Sequence, residues 1–299
     1  MVSKLKLILL LTVFVFAATQ LTAQTAAPKP AADNGLLFEI SGNGLKKPSY
    51  IFGTFHILCP ADMMPMDKLT PYIDMSDQLV MEIDMDDPSE MQSIVAATRL
   101  SDGKSWKSAL TPEQYAKVDA MFREYVGVSA DAMPNVQPTL LSVLILTSSK
   151  LLGCAPPSSY DLSLVQTAAT KKKPIMGLET AAFQGKALEA KPVEKQAHEL
   201  YEISLDPQKS ENDLKKLIDA YRSQDLNKLN EISEAEEKKD PAFIDKLLAE
   251  RNKDWIPKIE NYIKATPSFI AVGAGHLGGK SGVISLLRAR GYSVTVIRL

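Results

Sequence analysis

Two stretches of this chain end in the same way. Gly53-Thr54-Phe55-His56 and Gly273-Ala274-Gly275-His276 each follow a short apolar run, and each delivers an imidazole three residues after a glycine. The chain has only three histidines, so two of them occupy this matched setting. Two histidines and one carboxylate are a common ligand set for a divalent ion, leaving positions for water and substrate. Glu82, near the end of the apolar run 78–84, is the first carboxylate candidate, and Glu179, in Met176-Gly177-Leu178-Glu179-Thr180, is the second. An ion held there would polarise a carbonyl and lower the pKa of water toward ~7, with the second carboxylate as general base.

Other readings compete with this one. A histidine at a strand end often only caps or hydrogen-bonds, and Glu82 has a possible ion-pair partner in Arg251 of Glu250-Arg251-Asn252. Asp84, followed by Asp86 and Asp87, reads as a loop cap. His198, between Glu194 and Glu202 at helical spacing, reads as part of a solvated face. Serine hydrolysis has no support, because no Gly-x-Ser-x-Gly segment is present.

The elements that must carry these residues are legible as apolar runs. Residues 36–40 and 50–54 read as an opening hairpin around Ser41-Gly42-Asn43-Gly44. Residues 78–84 form a strong strand in which Val80, Glu82 and Asp84 share a face. A short strand ends at Glu179, and 269–272 and 293–297 close the chain as a strand–loop–helix–strand unit. Gly-x-x-His therefore falls at strand ends, where glycine permits close approach or positive φ and where open α/β sheets bind ligands. Between these strands the pattern is helical, with a start at Thr111-Pro112. Residues 139–152 read as a buried helix, 231–240 as a solvated connector, and 242–264 as a helix broken or bent at Pro257. The expected class is α/β: a central mixed, largely parallel sheet flanked by helices, with a large helical insertion at about 89–264.

Length and composition suit a substantial core. The formal charge of −2 shows no basic excess, so nucleic acid is not an expected partner. Lys4 and Lys6 followed by an apolar run at 7–18 and Leu21-Thr22-Ala23 read as a signal peptide over 1–23. Its apolar core is short for a membrane span, so no stable span is expected after its removal. Removal would take away two lysines and no acid, changing the charge from −2 to −4. Residues 24–35 read as a flexible leader. A periplasmic or secreted location follows, and there Cys59 and Cys154 are expected to form a disulfide, the alternative being two buried thiols.

The chain resembles the TraB/PrgY/GumN family over residues 36–299, and that family is similar to the Tiki group of metal-dependent proteases. The resemblance rests on Phe52-Gly53-Thr54-Phe55-His56, Leu79-Val80-Met81-Glu82-Ile83-Asp84, Met176-Gly177-Leu178-Glu179-Thr180, Glu250-Arg251-Asn252 and Val272-Gly273-Ala274-Gly275-His276-Leu277-Gly278-Gly279. It implies one α/β domain related to erythromycin esterase and haem-binding ChaN-like proteins. It implies that His56, His276, Glu82 and Arg251 converge, and that a divalent ion (manganese, cobalt or zinc) serves peptide hydrolysis, Arg251 stabilising charge on the substrate carbonyl oxygen. The expected partner is a peptide or small-molecule substrate. The alternatives are a non-catalytic binder of peptide, small ligand or haem, and a metal-independent esterase.

Overall fold

Successive side chains of a strand point to opposite faces, so continuous apolar runs place both faces of a sheet in the interior. The computed structural model describes residues 34–100 and 105–299. Residues 1–23, expected to be a signal peptide, and nearly all of the expected leader lie outside the described residues. Six strands pair in one sheet: β1 (Leu37–Ser41), β2 (Ser49–Thr54), β3 (Gln78–Ile83), β4 (Ile175–Glu179), β5 (Ser268–Gly273) and β6 (Ser293–Ile297). Their order is β4-β3-β5-β2-β1-β6. The first four in that order are mutually parallel, whereas β1 runs antiparallel to both β2 and β6. The class is α/β, with a mixed, mostly parallel sheet flanked by helices, as the apolar runs predicted.

The period of two decides which layer each residue joins. Tyr50, Phe52, Leu79, Met81, Phe269 and Ala271 share one apolar cluster with helix Tyr160–Lys171. Ile51, Val80, Ile270 and Val272 share the opposite cluster with helices Glu250–Ala265 and Val283–Ala289. Strands buried on both faces need such continuous apolar runs. A third cluster, around Trp106, Phe122 and Ile145, holds together the helices that lie between β3 and β4 and continue past β4.

Helix Glu250–Ala265 has a register that reaches the strand ends. Arg251, Trp255, Ile259 and Ile263 recur at intervals of four and are all buried. They form one stripe against the sheet, and each fully buried apolar member contributes roughly 1.5–3 kcal/mol. The same stripe carries Arg251 beneath the carboxyl ends of the strands.

Three local expectations are corrected. The helix continues through Pro257, held by the buried stripe on either side of it; the irregularity is instead a turn of π-helix at Asp245–Ala249, just before Arg251. Residues 231–240 are not a connector but fall mostly within helix Leu226–Lys239, whose N-terminus Asp225 caps. The apolar stretch 139–152 forms two helices, Pro138–Leu146 and Ser149–Leu152, separated at Thr147 and Ser148. It is only partly buried, with Val143 and Leu144 exposed. Cys59 and Cys154 form the disulfide. Among the described residues, no helix is long and apolar enough to cross a membrane.

Candidate functional site

His56 and His276 leave the carboxyl ends of β2 and β5, which are adjacent parallel strands. Glu82 lies at the end of β3, the other neighbour of β5, and Glu179 ends β4. Four of the five candidates thus come from one sheet edge, and Arg251 comes up beneath it from helix Glu250–Ala265. Both motif glycines serve close approach rather than positive φ. A Cβ on Gly53 would stand 2.7 Å from Leu277 Cδ1 and 3.0 Å from Ala274 Cα. One on Gly273 would stand 3.3 Å from Glu82 Oε1, 3.7 Å from His276 Cδ2 and 3.7 Å from His56 Nε2. The space that Gly273 leaves open is therefore bordered by both histidines and by Glu82.

His56 is fixed from outside. Its Nδ1 donates to Asp161 Oδ2 at 2.9 Å, while Thr54 Oγ1 donates to Asp161 Oδ1 and Ser159 Oγ to Asp161 Oδ2, each at 3.3 Å. The loop is pinned by reciprocal backbone bonds between Leu58 and Ser158, at 2.9 and 2.7 Å, and by the adjacent disulfide. The Asp161 hydrogen bond outweighs burial and raises the His56 pKa to about 9, so in this arrangement the ring is an imidazolium at neutral pH. The side chain is still 65% exposed, which leaves Nε2 approachable.

His276 is the opposite case. Asn252 Nδ2 donates to the carbonyls of His276 and Ser281, so its Oδ1 is the acceptor facing His276 Nδ1 at 2.6 Å. The proton therefore sits on Nδ1, and Nε2 keeps a lone pair that accepts from Arg251 Nη1 at 3.1 Å. Burial lowers the His276 pKa to about 3 and keeps the ring neutral. Its ring lies 4.4 Å from that of Trp255.

Arg251 joins the two carboxylates. Nη2 donates to Glu82 Oε2 at 2.7 Å and to Glu179 Oε1 at 2.6 Å, Nε donates to both Glu179 oxygens, and Nη1 donates to the Leu247 carbonyl in the π-helical turn. Glu82 also accepts from the Gly273 N–H at 2.8 Å and from Gln184 Nε2 at 2.9 Å. Burial pushes the Glu82 carboxyl up, but the positive charge that His276, Arg251 and His56 can carry, with the Gly273 N–H, pulls it further down, to about 2. Since His276 is neutral above about pH 3, that positive charge at neutral pH is Arg251 and His56. The Glu179 side chain is 1% exposed, against 10% for that of Glu82. Trp255 Nε1 donates to it at 2.9 Å, and burial raises its pKa despite the Arg251 donors.

Glu82, Glu179 and His276 are thus joined through Arg251, and His56 borders the same space at Gly273. Among the described residues, no three His, Cys, Asp or Glu side chains form a ready-made metal-binding group. The Arg251 guanidinium is interposed, on His276 Nε2 and on Glu82 Oε2. A cleft of about 210 Å³ opens beside His56 and Glu82. A larger cavity of about 580 Å³ is lined by Asn252, Gly275 and Lys280 but by none of the five candidates.

The model of the TraB/PrgY/gumN family matches residues 36–296. The chain belongs to the TraB/PrgY/gumN family. No curated protein and no solved structure matches it. This family member carries four positioning residues that sequence reasoning passed over: Asp161, Gln184, Asn252 and Trp255. Asn252 and Trp255 had a signal, since both lie on the Arg251 helix and Trp255 lies four residues beyond Arg251 on the same stripe. Asp161 and Gln184 had none, because only tertiary folding brings them to His56 and Glu82. His198 is exposed and remote from these residues in the hydrogen-bond network, and Asp87 caps helix Pro88–Ala97.

Proposed function

We propose that this protein is an exported metal-dependent hydrolase of the peptidase type, with His56, His276 and Glu82 holding a divalent ion. One observation carries this reading. Each histidine has Nδ1 anchored on an outer oxygen, Asp161 for His56 and Asn252 for His276, which leaves Nε2 as the remaining ring nitrogen beside the gap at Gly273 and Glu82. Outer-shell oxygens of this kind orient metal-ligating histidines and set their tautomers. The donor set of two imidazoles and one carboxylate suits manganese, cobalt or zinc.

When bound, the ion would polarise a substrate carbonyl and make water a nucleophile near neutral pH. The chain's own residues supply the rest. His56 has to give up its Nε2 proton on ligation, so affinity rises with pH. Glu82, at about 2, is too weakly basic to be an efficient proton acceptor near neutral pH and is assigned as ligand. Glu179 and Trp255 hold Arg251 in place. Released from His276, Arg251 Nη1 is the donor available to negative charge developing on the carbonyl oxygen. Gln184 and the Gly273 N–H fix the Glu82 carboxylate. Export is supported by the Cys59–Cys154 disulfide together with the charged and apolar pattern of residues 1–23.

A metal-independent esterase is the second reading, favoured by the His56–Asp161 pair. An exposed imidazolium beside Arg251 offers a general acid and an oxyanion partner without an ion. The test is hydrolysis of peptide and ester libraries by the wild type, Glu82→Gln and His276→Ala, with and without a chelator. Peptide cleavage lost to the chelator and in both variants is expected. Ester cleavage indifferent to the chelator would replace the first reading with the second.

A further inference from the structure

The cleft beside His56 is lined by two kinds of side chain. His56, Glu82, Ser159, Asp161 and Gln184 are polar, and Met81, Ile83, Met85 and Ile94 form an apolar wall. Ile83 and Ile94 belong to none of the three apolar clusters of the interior. Met85 is only partly buried, at the margin of one of them. The fold thus leaves aliphatic surface facing this cleft next to the candidate ligands.

The wall is held firmly. Ile94 lies on helix Pro88–Ala97, which Asp87 caps through Ser89 N–H at 2.7 Å. That helix packs on helix Ala181–Glu189 so closely that a Cβ on Gly185 would come within 2.7 Å of Ala97 Cβ. Glu90 Oε2 accepts from the Ala181 N–H at 2.8 Å. The same helix pair presents Gln184 to Glu82, so the apolar wall and the Glu82 carboxylate keep a fixed separation. The volume of about 210 Å³ lies below the ~300–1,000 Å³ that whole small ligands fill. It suits one side chain of a larger molecule whose backbone lies by the polar lining residues.

We propose that this cleft is a specificity pocket for one bulky aliphatic or aromatic side chain of a peptide substrate, seated beside the bond to be hydrolysed. The inference rests on the hydrolase reading and names its substrate class. Apolar side chains gain most there, because Met81, Ile83, Met85 and Ile94 offer a charge no partner.

The test is kcat/KM of the metal-loaded protein on peptides that differ at one position at a time (Leu, Phe, Ala, Asp), for wild type, Ile94→Trp and Ile94→Asp. At one position, Leu and Phe should exceed Ala by about 10–100-fold in the wild type. Ile94→Trp fills the pocket and Ile94→Asp charges its wall, and each should reduce that ratio at least about tenfold. Ile94 lies outside the interior clusters, so both variants should keep the wild-type circular dichroism and thermal transition. Equal cleavage of all four peptides, or a preference unchanged in both variants, would overturn the pocket. Binding of N-acetyl-leucinamide against N-acetyl-alaninamide, followed by NMR, supplies a readout without turnover. Leucinamide binding to the wild type alone, with no peptide cleaved, would sink the hydrolase reading and leave the pocket standing; absence of both binding and cleavage would sink both.

Discussion

Replacing Arg251 with methionine removes the cation that two buried carboxylates share. Arg251 makes six hydrogen bonds, to Glu82, Glu179, Leu247 and His276, from a side chain that is 4% exposed. Methionine fills much of the same space and leaves Glu82 and Glu179 without their shared cation. Breaking a buried ion pair from one side costs about 3–5 kcal/mol. At roughly 2–4 °C per kcal/mol for a chain of this size, Tm at pH 7 should fall by about 6–20 °C. The loss should also depend on pH. In the wild type the folded-state pKa of Glu82 is depressed from 4.5 to about 2, so its contribution is present above 4.5 and is lost as pH falls through 2. In the variant burial without the guanidinium pushes both carboxyls up, a penalty that grows as pH rises above about 4.5, while the part of the deficit owed to the depressed Glu82 pKa fades only as pH falls toward 2. Thermal unfolding of both proteins between pH 4 and 8, disulfide intact, should therefore give a Tm difference that shrinks toward acid without vanishing at pH 4. A further Glu82→Gln and Glu179→Gln change should restore much of the loss at pH 7. A Tm difference below about 2 °C at pH 7, or one independent of pH, would refute the role given to Arg251.

Other outcomes follow from single contacts. Asp161→Asn should bring the His56 pKa from about 9 back toward ~6.5 by NMR titration. The stability this pair provides is present below 6.5 and fades as pH rises through 9, so the wild type and this variant should converge in alkali. Cys59→Ser with Cys154→Ser should cost about 2–5 kcal/mol in denaturant unfolding, and reductant should destabilise the wild type but not the variant. Gly53→Ala, which sets a Cβ against Ala274 Cα and Leu277, should cost about 1–3 kcal/mol in the same assay.

Much of this was legible in the sequence for physical reasons. Each strand is a continuous apolar run because both faces of the sheet are covered. The two Gly-x-x-His segments stood out because each strand end needs a residue without a side chain where the next layer closes in. Arg251 was readable as a partner of Glu82, although its four-residue spacing to Trp255 carried the clearer signal, a buried stripe extended by one charged turn. The π-helical turn at Asp245–Ala249 left no comparable mark, and Pro257, the expected breaker, was overridden by Trp255 and Ile259 packing on either side. Asp161 was the hardest to see. It opens an ordinary helix, which the shared apolar cluster, the Leu58–Ser158 pairing and the disulfide bring to His56. Gln184 likewise reaches Glu82 through a helix pair whose close contact depends on Gly185 against Ala97.

Whether His56, His276 and Glu82 together hold a divalent ion is tested most directly by elemental analysis. The purified protein is equilibrated with manganese, cobalt or zinc and freed of unbound ion, beside His56→Ala/His276→Ala. Stoichiometric retention is predicted for the wild type, stronger at higher pH as His56 loses its proton, and none above background for the double variant. Equal metal content in the two proteins would contradict the proposed site.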